Sequence, residues 1–323
     1  MMKRYWRTGL LAALTVAAGT GGPAWAQQFP SGNVRFIVNV NAGGVTDTLA
    51  RVVGQGLNEL WGKPVIVENR AGGNSAIAAQ AVLREPPDGH TLLVTADNTF
   101  TANPFMVKDL NYRVEDFVPI FIICRSTPVL VVNKSVPATT VKEFIELARQ
   151  KPGTLNYGSQ GPGSYAHLGM EDFKRRTGTE LVHVPYRGGA PQVEGLLRGD
   201  VSSIIVNFSS AEPYEESGMR ILAVAGDKRY SGRPELPTVA ESVPGYSVST
   251  WFGIFGPAKL PGETVQKLQD GIRTVLDTPK SKEFFARNSC ERTDLSSSEM
   301  AKLIVEDGKH WGGLIRSAGI KVE

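Results

Sequence analysis

Val34-Arg-Phe-Ile-Val-Asn-Val40 runs directly into Asn41-Ala-Gly-Gly-Val-Thr-Asp47. The first run is rich in β-branched and aromatic residues and reads as a strand. The second sets two glycines ahead of Thr46 and Asp47, residue types that favour a helix N-cap. Leu49, Val52, Val53, Leu57 and Leu60 follow at i, i+3, i+4 spacing, so an amphipathic helix is expected there. The unit is strand, glycine turn, helix N-terminus. Such a turn gathers free backbone N–H groups and the positive end of a helix dipole at one spot, which suits an anion. A plain βα turn without a ligand has the same pattern, and this stretch alone does not separate the two.

The pattern continues outward. Pro64-Val-Ile-Val-Glu68 reads as a second strand, followed by a glycine turn at Asn69-Arg-Ala-Gly-Gly-Asn74 and an Ala-rich helix to Leu83, with Ser75 as its cap. After the Pro86-Pro-Asp-Gly89 turn comes a strand at Thr91-Leu-Leu-Val-Thr95 and a polar loop, Ala96-Asp-Asn-Thr-Phe-Thr101. Alternating strands and helices with short connections specify a parallel sheet covered by helices. Two apolar strands, Ile120–Ile123 and Pro128–Val132, are broken by Arg125-Ser-Thr127, read as a crossing into a second domain. Thr140-Val-Lys-Glu143 is a capping-box pattern opening a helix through Gln150. Leu155-Asn-Tyr157 then repeats the opening device: a strand, the turn Gly158-Ser-Gln-Gly-Pro-Gly-Ser164, and a helix from Tyr165. Thr250-Trp-Phe-Gly-Ile-Phe255 crosses back. The tail reads as helices with no strand between them, completing the first domain from outside. The expected division is 27–127 plus 250–323 for one domain and 128–249 for the other.

Residues 1–26 read as a cleavable signal peptide. Lys3, Arg4 and Arg7 precede a short apolar core, and Ala24-Trp25-Ala26 fits the cleavage site. The formal charge is +3, and the leader carries three basic residues and no acid, so the rest is neutral. Nothing there points to nucleic acid or an anionic membrane. No other run is long enough to span a bilayer, so no membrane insertion is expected. Cys124 and Cys290 are the only cysteines. They can pair in an oxidising compartment, but their neighbours give no sign of proximity, and two separate thiols are expected.

Catalytic signatures are missing. Ser159 lacks the first glycine of a G-x-S-x-G elbow, and Ser164 lacks both. The glycines of 158–163 are wrongly spaced for G-x-G-x-x-G, and no G-x-x-x-x-G-K-[ST] loop occurs. His90, His167, His183 and His310 are isolated, so no metal or cofactor is expected. His167, beside the second glycine loop, reads as a packing histidine in the absence of a nucleophile motif. What remains is one glycine loop per domain, with polar loops at Asp97-Asn98-Thr99 and Asn207 beyond strand ends. Ligands in open α/β sheets bind at such carboxyl edges.

Several stretches in order carry a resemblance: Asn41–Asp47, Val67-Glu-Asn-Arg70, Pro87-Asp-Gly-His-Thr-Leu-Leu93, Leu155-Asn-Tyr-Gly-Ser159, Gly163-Ser164 with His167-Leu168, His183-Val-Pro-Tyr-Arg-Gly188, Pro237-Thr-Val-Ala-Glu241 and Trp251-Phe-Gly253. Together they resemble the tripartite tricarboxylate transporter solute receptors, the Bug or TctC-type periplasmic proteins. The resemblance implies a type II periplasmic-binding fold, two α/β domains joined by two crossing strands, with a carboxylated solute in the cleft. It implies a non-catalytic monomer that works with the permease subunits of a membrane transporter. Carried over by position, the first glycine loop and the Gly158–Ser164 loop are the two halves of the carboxylate site; with the strand-end loops, the expected ligand residues are Asn41, Gly43, Gly44, Thr46, Asp47, Asn98, Thr99, Ser159, Gly163, Ser164, Tyr165 and Asn207. The solute is a di- or tricarboxylate or an aromatic carboxylate. The chain departs from the family at Asn39 and Asn41, where proline is usual, at Val40, where an aromatic is usual, at Val45, often proline, and at Asn207, commonly Asp. Two rival readings stay open: a secreted hydrolase using Ser164 and His167, and a receptor presenting its ligand to a sensor kinase. Asp47 reads as an orienter of the loop, bonding backbone N–H groups or a ligand hydroxyl.

Overall fold

The computed structural model describes residues 29–321. The expected leader lies outside the described residues. The chain begins β1 (Val34–Val38), α1 (Val45–Trp61), β2 (Val65–Asn69), α2 (Ala76–Leu83), β3 (Thr91–Ala96), the short α3 (Asn98–Thr101) and α4 (Asn103–Met106), and β4 (Phe117–Ser126). It continues through β5 (Pro128–Asn133), α5 (Val141–Gln150), β6 (Asn156–Ser159), α6 (Tyr165–Thr177), β7 (Val182–Pro185), α7 (Gly189–Arg198), β8 (Ser203–Asn207), α8 (Phe208–Ala211) and β9 (Met219–Val224). It ends with β10 (Thr250–Pro257), α9 (Gly262–Leu276), α10 (Pro279–Arg287), β11 (Cys290–Glu291) and α11 (Ser297–Ala318).

These elements form two sheets, ordered β11-β4-β10-β3-β1-β2 and β7-β6-β8-β5-β9. β1 runs parallel to β2 and β3, and β6 parallel to β7 and β8. β10 runs antiparallel between β3 and β4. The chain passes from the first sheet to the second at Thr127 and returns before Thr250. This is the two-sheet α/β architecture of a type II periplasmic-binding protein.

Alternation along the strands decides which helix covers which face. Phe36 and Val38 of β1 pack with Leu49, Val53 and Leu57 of α1 and with Leu268, Ile272 and Val275 of α9. Ile37, one residue out of phase, packs on the other face with Ala78, Ala79 and Val82 of α2 and Met300 and Ile304 of α11. In the second sheet Leu130 and Val132 join the cluster of Phe144 and Phe173, while Val129 and Val131 join that of Val193 and Leu196. Each fully buried side chain of this size contributes about 1.5–3 kcal/mol.

Four local expectations differ from the structure. The cap of α1 is Gly44, so Thr46 and Asp47 lie inside the first turn. Ser75 occupies the cap position of α2 but makes no capping bond with its side chain. Thr140 accepts the Glu143 N–H, yet the Glu143 carboxylate turns to the Thr139 N–H and hydroxyl, so no reciprocal box forms. The tail also contains a strand, β11, and α11 does not stay with one sheet. Met300 and Ile304 pack on the first, whereas Trp311, Leu314 and Ile315 pack in the core beside the second. Its 22 residues span about 33 Å, enough to reach both.

The expectation of two free thiols is overturned: Cys124 and Cys290 form a disulfide, with Cα atoms 5.5 Å apart. β11 pairs antiparallel with the end of β4, Cys290 opposite Ser126 and Glu291 opposite Arg125, and this brings Cys290 to Cys124. Just beyond, the Thr127 N–H donates to Ser289 O at 3.3 Å, so the disulfide lies at the first crossing.

Candidate functional site

The site is built at the carboxyl edges of the parallel strands. Gly43 sits at φ +85, a conformation that favours glycine. Its N–H donates to Asp47 Oδ2 at 2.9 Å, and the Gly44 N–H donates to Asn41 O at 3.3 Å. Asp47 is almost fully buried and also accepts from Asn69 Nδ2 at 2.8 Å and Arg51 Nε at 3.0 Å. Burial pushes its carboxyl upward, but Arg51, the Gly43 N–H and Asn69 outweigh that and hold it below the usual carboxylate range. Asp47 is therefore a structural anion whose charge is already met.

The consequence concerns the donors. The N–H groups of Gly43 and Gly44 are used within the loop. The first-turn N–H groups of Val45, Thr46 and Asp47 have no acceptor among the described residues, and α1 has no side-chain cap.

The second loop repeats the device. Gly163, at φ +75, donates its N–H to His167 Nδ1 at 3.0 Å. The Ser164 hydroxyl donates to Gly161 O at 2.8 Å and accepts the His167 N–H at 3.3 Å, capping α6. Tyr165 and Ala166 at the start of α6 keep N–H groups without acceptors among the described residues. Ser159 is fully buried, its hydroxyl 2.7 Å from His183 Nε2 and accepting the Gly161 N–H at 3.1 Å. His167 and His183 stack with centroids 4.2 Å apart, and Tyr157 stacks on His183 at 4.9 Å. Burial, with the His183 charge, brings His167 down to about 4, so its ring is neutral near pH 7. Ser164 and His167 do not meet through their side chains. The pairing that the hydrolase reading needs is replaced by loop-shaping bonds.

Between the loops lies the end of β3. Asp97 accepts the Thr250 hydroxyl at 2.8 Å, and its N–H donates to Trp251 O at 3.0 Å. Burial raises its carboxyl to about 7, with the Asp307 carboxylate adding to the rise and the Thr250 bond opposing it. Thr99 is fully buried and bonds Ser75 and Thr95, so it supports the wall from behind. Asn98 opens α3 and is partly exposed. Tyr165 Oη donates to Asn207 Oδ1 at 3.3 Å and lies near Asp97, whose charge helps burial to raise its pKa. Sequence reasoning did not single out Ser75 or His183 as site residues, and it placed Asp97 in the polar loop after β3 without counting it among the ligand residues.

Met106 of α4 contacts the second loop. A Cβ on Gly163 would overlap the Met106 Cε and stand 2.9 Å from its Sδ. Gly163→Ala should therefore lose about 1–2 kcal/mol from the positive φ alone, plus the contact with Met106. Melting and titration calorimetry of Gly163→Ala and of Gly163→Ala/Met106→Ala check this. The double variant should recover the part due to overlap and not the part due to φ.

The receptor family of the tripartite tricarboxylate transporters matches residues 49–320. BugT of Bordetella pertussis is 30% identical over 323 residues, covering 98% of this chain and 99% of BugT. Among solved structures, an R. palustris protein with adipate is 34% identical at TM-score 0.83, covering 91% of this chain and 99% of its own. MatC of Rhodopseudomonas palustris with bound malate is 26% identical at TM-score 0.79, covering 89% of this chain and 100% of its own. The chain belongs to the tripartite tricarboxylate transporter receptor family. It is thus a solute receptor of a tripartite transporter and not an enzyme, from a family of periplasmic receptors. No helix among the described residues is long and apolar enough to cross a membrane.

Proposed function

We propose that this receptor captures an organic carboxylate between the first turns of α1 and α6 and hands it to the permease subunits of its transporter. One observation carries the reading: both helices begin with N–H groups that nothing among the described residues accepts, while the Asp47 charge is met within its loop and burial raises the Asp97 carboxyl to about 7. Asp47 is paired with Arg51, and Asp97 is buried beside Thr250. The adipate and malate held by two relatives support a carboxylated solute.

In this reading Thr46 and Tyr165 donate through their backbones. Gly43, Gly44, Asp47, Ser159, Gly163 and Ser164 shape the two loops, and Asn41, Asn98 and Asn207 line the cleft. Residues 27–127 with 250–323 act as one jaw and 128–249 as the other, in a monomer exported to the periplasm by its N-terminal leader.

A thermal-shift series over mono-, di-, tri- and aromatic carboxylates tests the proposal. A ligand at a hundred times its Kd adds about 2.7 kcal/mol, or roughly 5 °C for a chain of this length. Stabilisation by neutral solutes alone, with none from any carboxylate, would sink it.

A further inference from the structure

Two acids grip consecutive residues where the chain returns to the first sheet. Asp97, just beyond β3, accepts the Thr250 hydroxyl at 2.8 Å, and its own N–H donates to Trp251 O at 3.0 Å. Asp307 of α11 accepts the Trp251 indole N–H at 2.9 Å. Thr250 lies opposite Ser126 and Trp251 opposite Arg125, the two residues that end β4 before the chain first crosses. Both passages between the sheets are therefore bordered by this pair of carboxyl groups.

The charge of Asp97 is poorly provided for. The residue is 4% exposed, and the one side chain that donates to it is the neutral Thr250 hydroxyl. Among the described residues no cation pairs with it. From α11 the Asp307 carboxylate repels it, and from α6 the Tyr165 hydroxyl lies within the reach of its charge. Arg125 of β4 and His310 of α11 act on Asp307 in the opposite sense to Glu306, and none of the three bears on Asp97. A carboxylate buried without a counter-charge favours its protonated form. Burial first, and Asp307 next, accordingly raise Asp97 to about 7.

An arriving anion adds to this. In the carboxylate reading the solute lies between the first turns of α1 and α6, at the sheet edge where β3 delivers Asp97. A second negative charge and the loss of water both disfavour the ionised acid. We propose that capture of the anionic solute is coupled to uptake of a proton by Asp97, so that the acid at the return crossing makes the receptor answer to pH. The inference rests on the carboxylate reading above and goes beyond it to a regulation of the same site. Its sign follows from reciprocity. If bound solute raises the affinity of Asp97 for a proton, a lower pH raises the affinity of the receptor for solute. Binding should be tightest below the free-receptor value of about 7 and should weaken as pH rises through and beyond it.

Titration calorimetry tests the coupling, with adipate, malate or the carboxylate that stabilises most in the thermal-shift series. It is run from about pH 6 to about pH 9, in buffers of differing ionisation enthalpy. A rise of one pKa unit on binding corresponds to about tenfold weaker binding at the alkaline end and to an uptake of about half a proton near the midpoint. Asp97→Asn keeps an oxygen for the Thr250 hydroxyl and is neutral, as the protonated acid is. Protons taken up by the solute or by other groups are the same in both proteins, so the difference between them belongs to Asp97. The variant should lose that uptake and bind at about pH 9 nearly as well as the wild type does at about pH 6. Asp307→Asn removes the repelling carboxylate while keeping an acceptor for Trp251, so the pH profile should move to lower pH. Equal uptake in wild type and Asp97→Asn, or a wild-type affinity that does not change with pH, overturns the coupling and leaves the carboxylate reading standing. If no carboxylate binds, the carboxylate reading falls and takes the coupling with it.

Discussion

Replacing Cys290 by serine should lower the unfolding free energy by about 3–5 kcal/mol and the midpoint by about 5–8 °C. The disulfide closes a loop with a sequence separation of 166 residues, for which chain entropy alone gives about 5 kcal/mol. Enthalpic terms and residual structure in the unfolded chain commonly reduce that figure. β11 has only two residues paired to β4, so little else fastens it there. Cys124 is fully buried, and reductant should act only as the protein unfolds. Calorimetric melts of the wild type and of Cys290→Ser measure the loss. Thiol titration in denaturant should find no free thiol before reduction and two after it. Two thiols without reductant would show that the pairing is wrong.

Asp47→Ala should cost about 2–3 kcal/mol and weaken solute binding. The carboxylate is 2% exposed and serves the Gly43 N–H, Asn69 and Arg51 together. Removing one partner of a fully buried ion pair costs roughly 3–5 kcal/mol. Arg51 is half-exposed and turns to water, which lowers the figure. Asn69 keeps its bond to Val40 O, but the Gly43 N–H loses its acceptor and the loop loses its tie. The pH dependence has a definite sign. The folded-state pKa of Asp47 is depressed, so its contribution is complete above the unfolded value of about 3.9 and disappears as pH falls below it. The stability gap between wild type and Asp47→Asn should therefore narrow between pH 5 and pH 3. A gap that stayed constant would mean that Asp47 acts by shape and not by charge.

Much of the fold was legible because its signals are local. The change of apolar period from two to 3.6 marks both strand–glycine–helix units, and their order implies parallel sheets. The disulfide was not, since Cys124 and Cys290 meet through strand pairing that neither neighbourhood encodes. The double attachment of α11 was hidden for a related reason. Periodicity shows that Met300, Ile304, Trp311 and Ile315 share an apolar stripe, but not that its two halves meet different sheets. In the site, the two glycine loops were legible as loops. Which N–H groups stay free was not legible, because an acceptor four positions on, Asp47 in one loop and His167 in the other, takes the glycine N–H. That depends on side-chain direction, which composition does not carry. Asn39 was legible as a departure from the family, while Ser75, whose hydroxyl accepts its amide N–H, depends on a positive φ that the sequence leaves hidden.

The bond from Gly163 to His167 fixes more than a loop. An N–H donor at Nδ1 requires the lone pair there, so the one proton of the neutral ring must sit on Nε2. The turn thus selects a single imidazole tautomer, and that tautomer in turn selects the turn. Nitrogen-15 shifts of the two ring atoms should show an unprotonated Nδ1 and a protonated Nε2. Of the two carboxamides, asparagine places its oxygen near where Nδ1 stands, whereas glutamine reaches toward Nε2. Asparagine at 167 should keep the loop closed and glutamine should not, an asymmetry set by the position of one hydrogen atom.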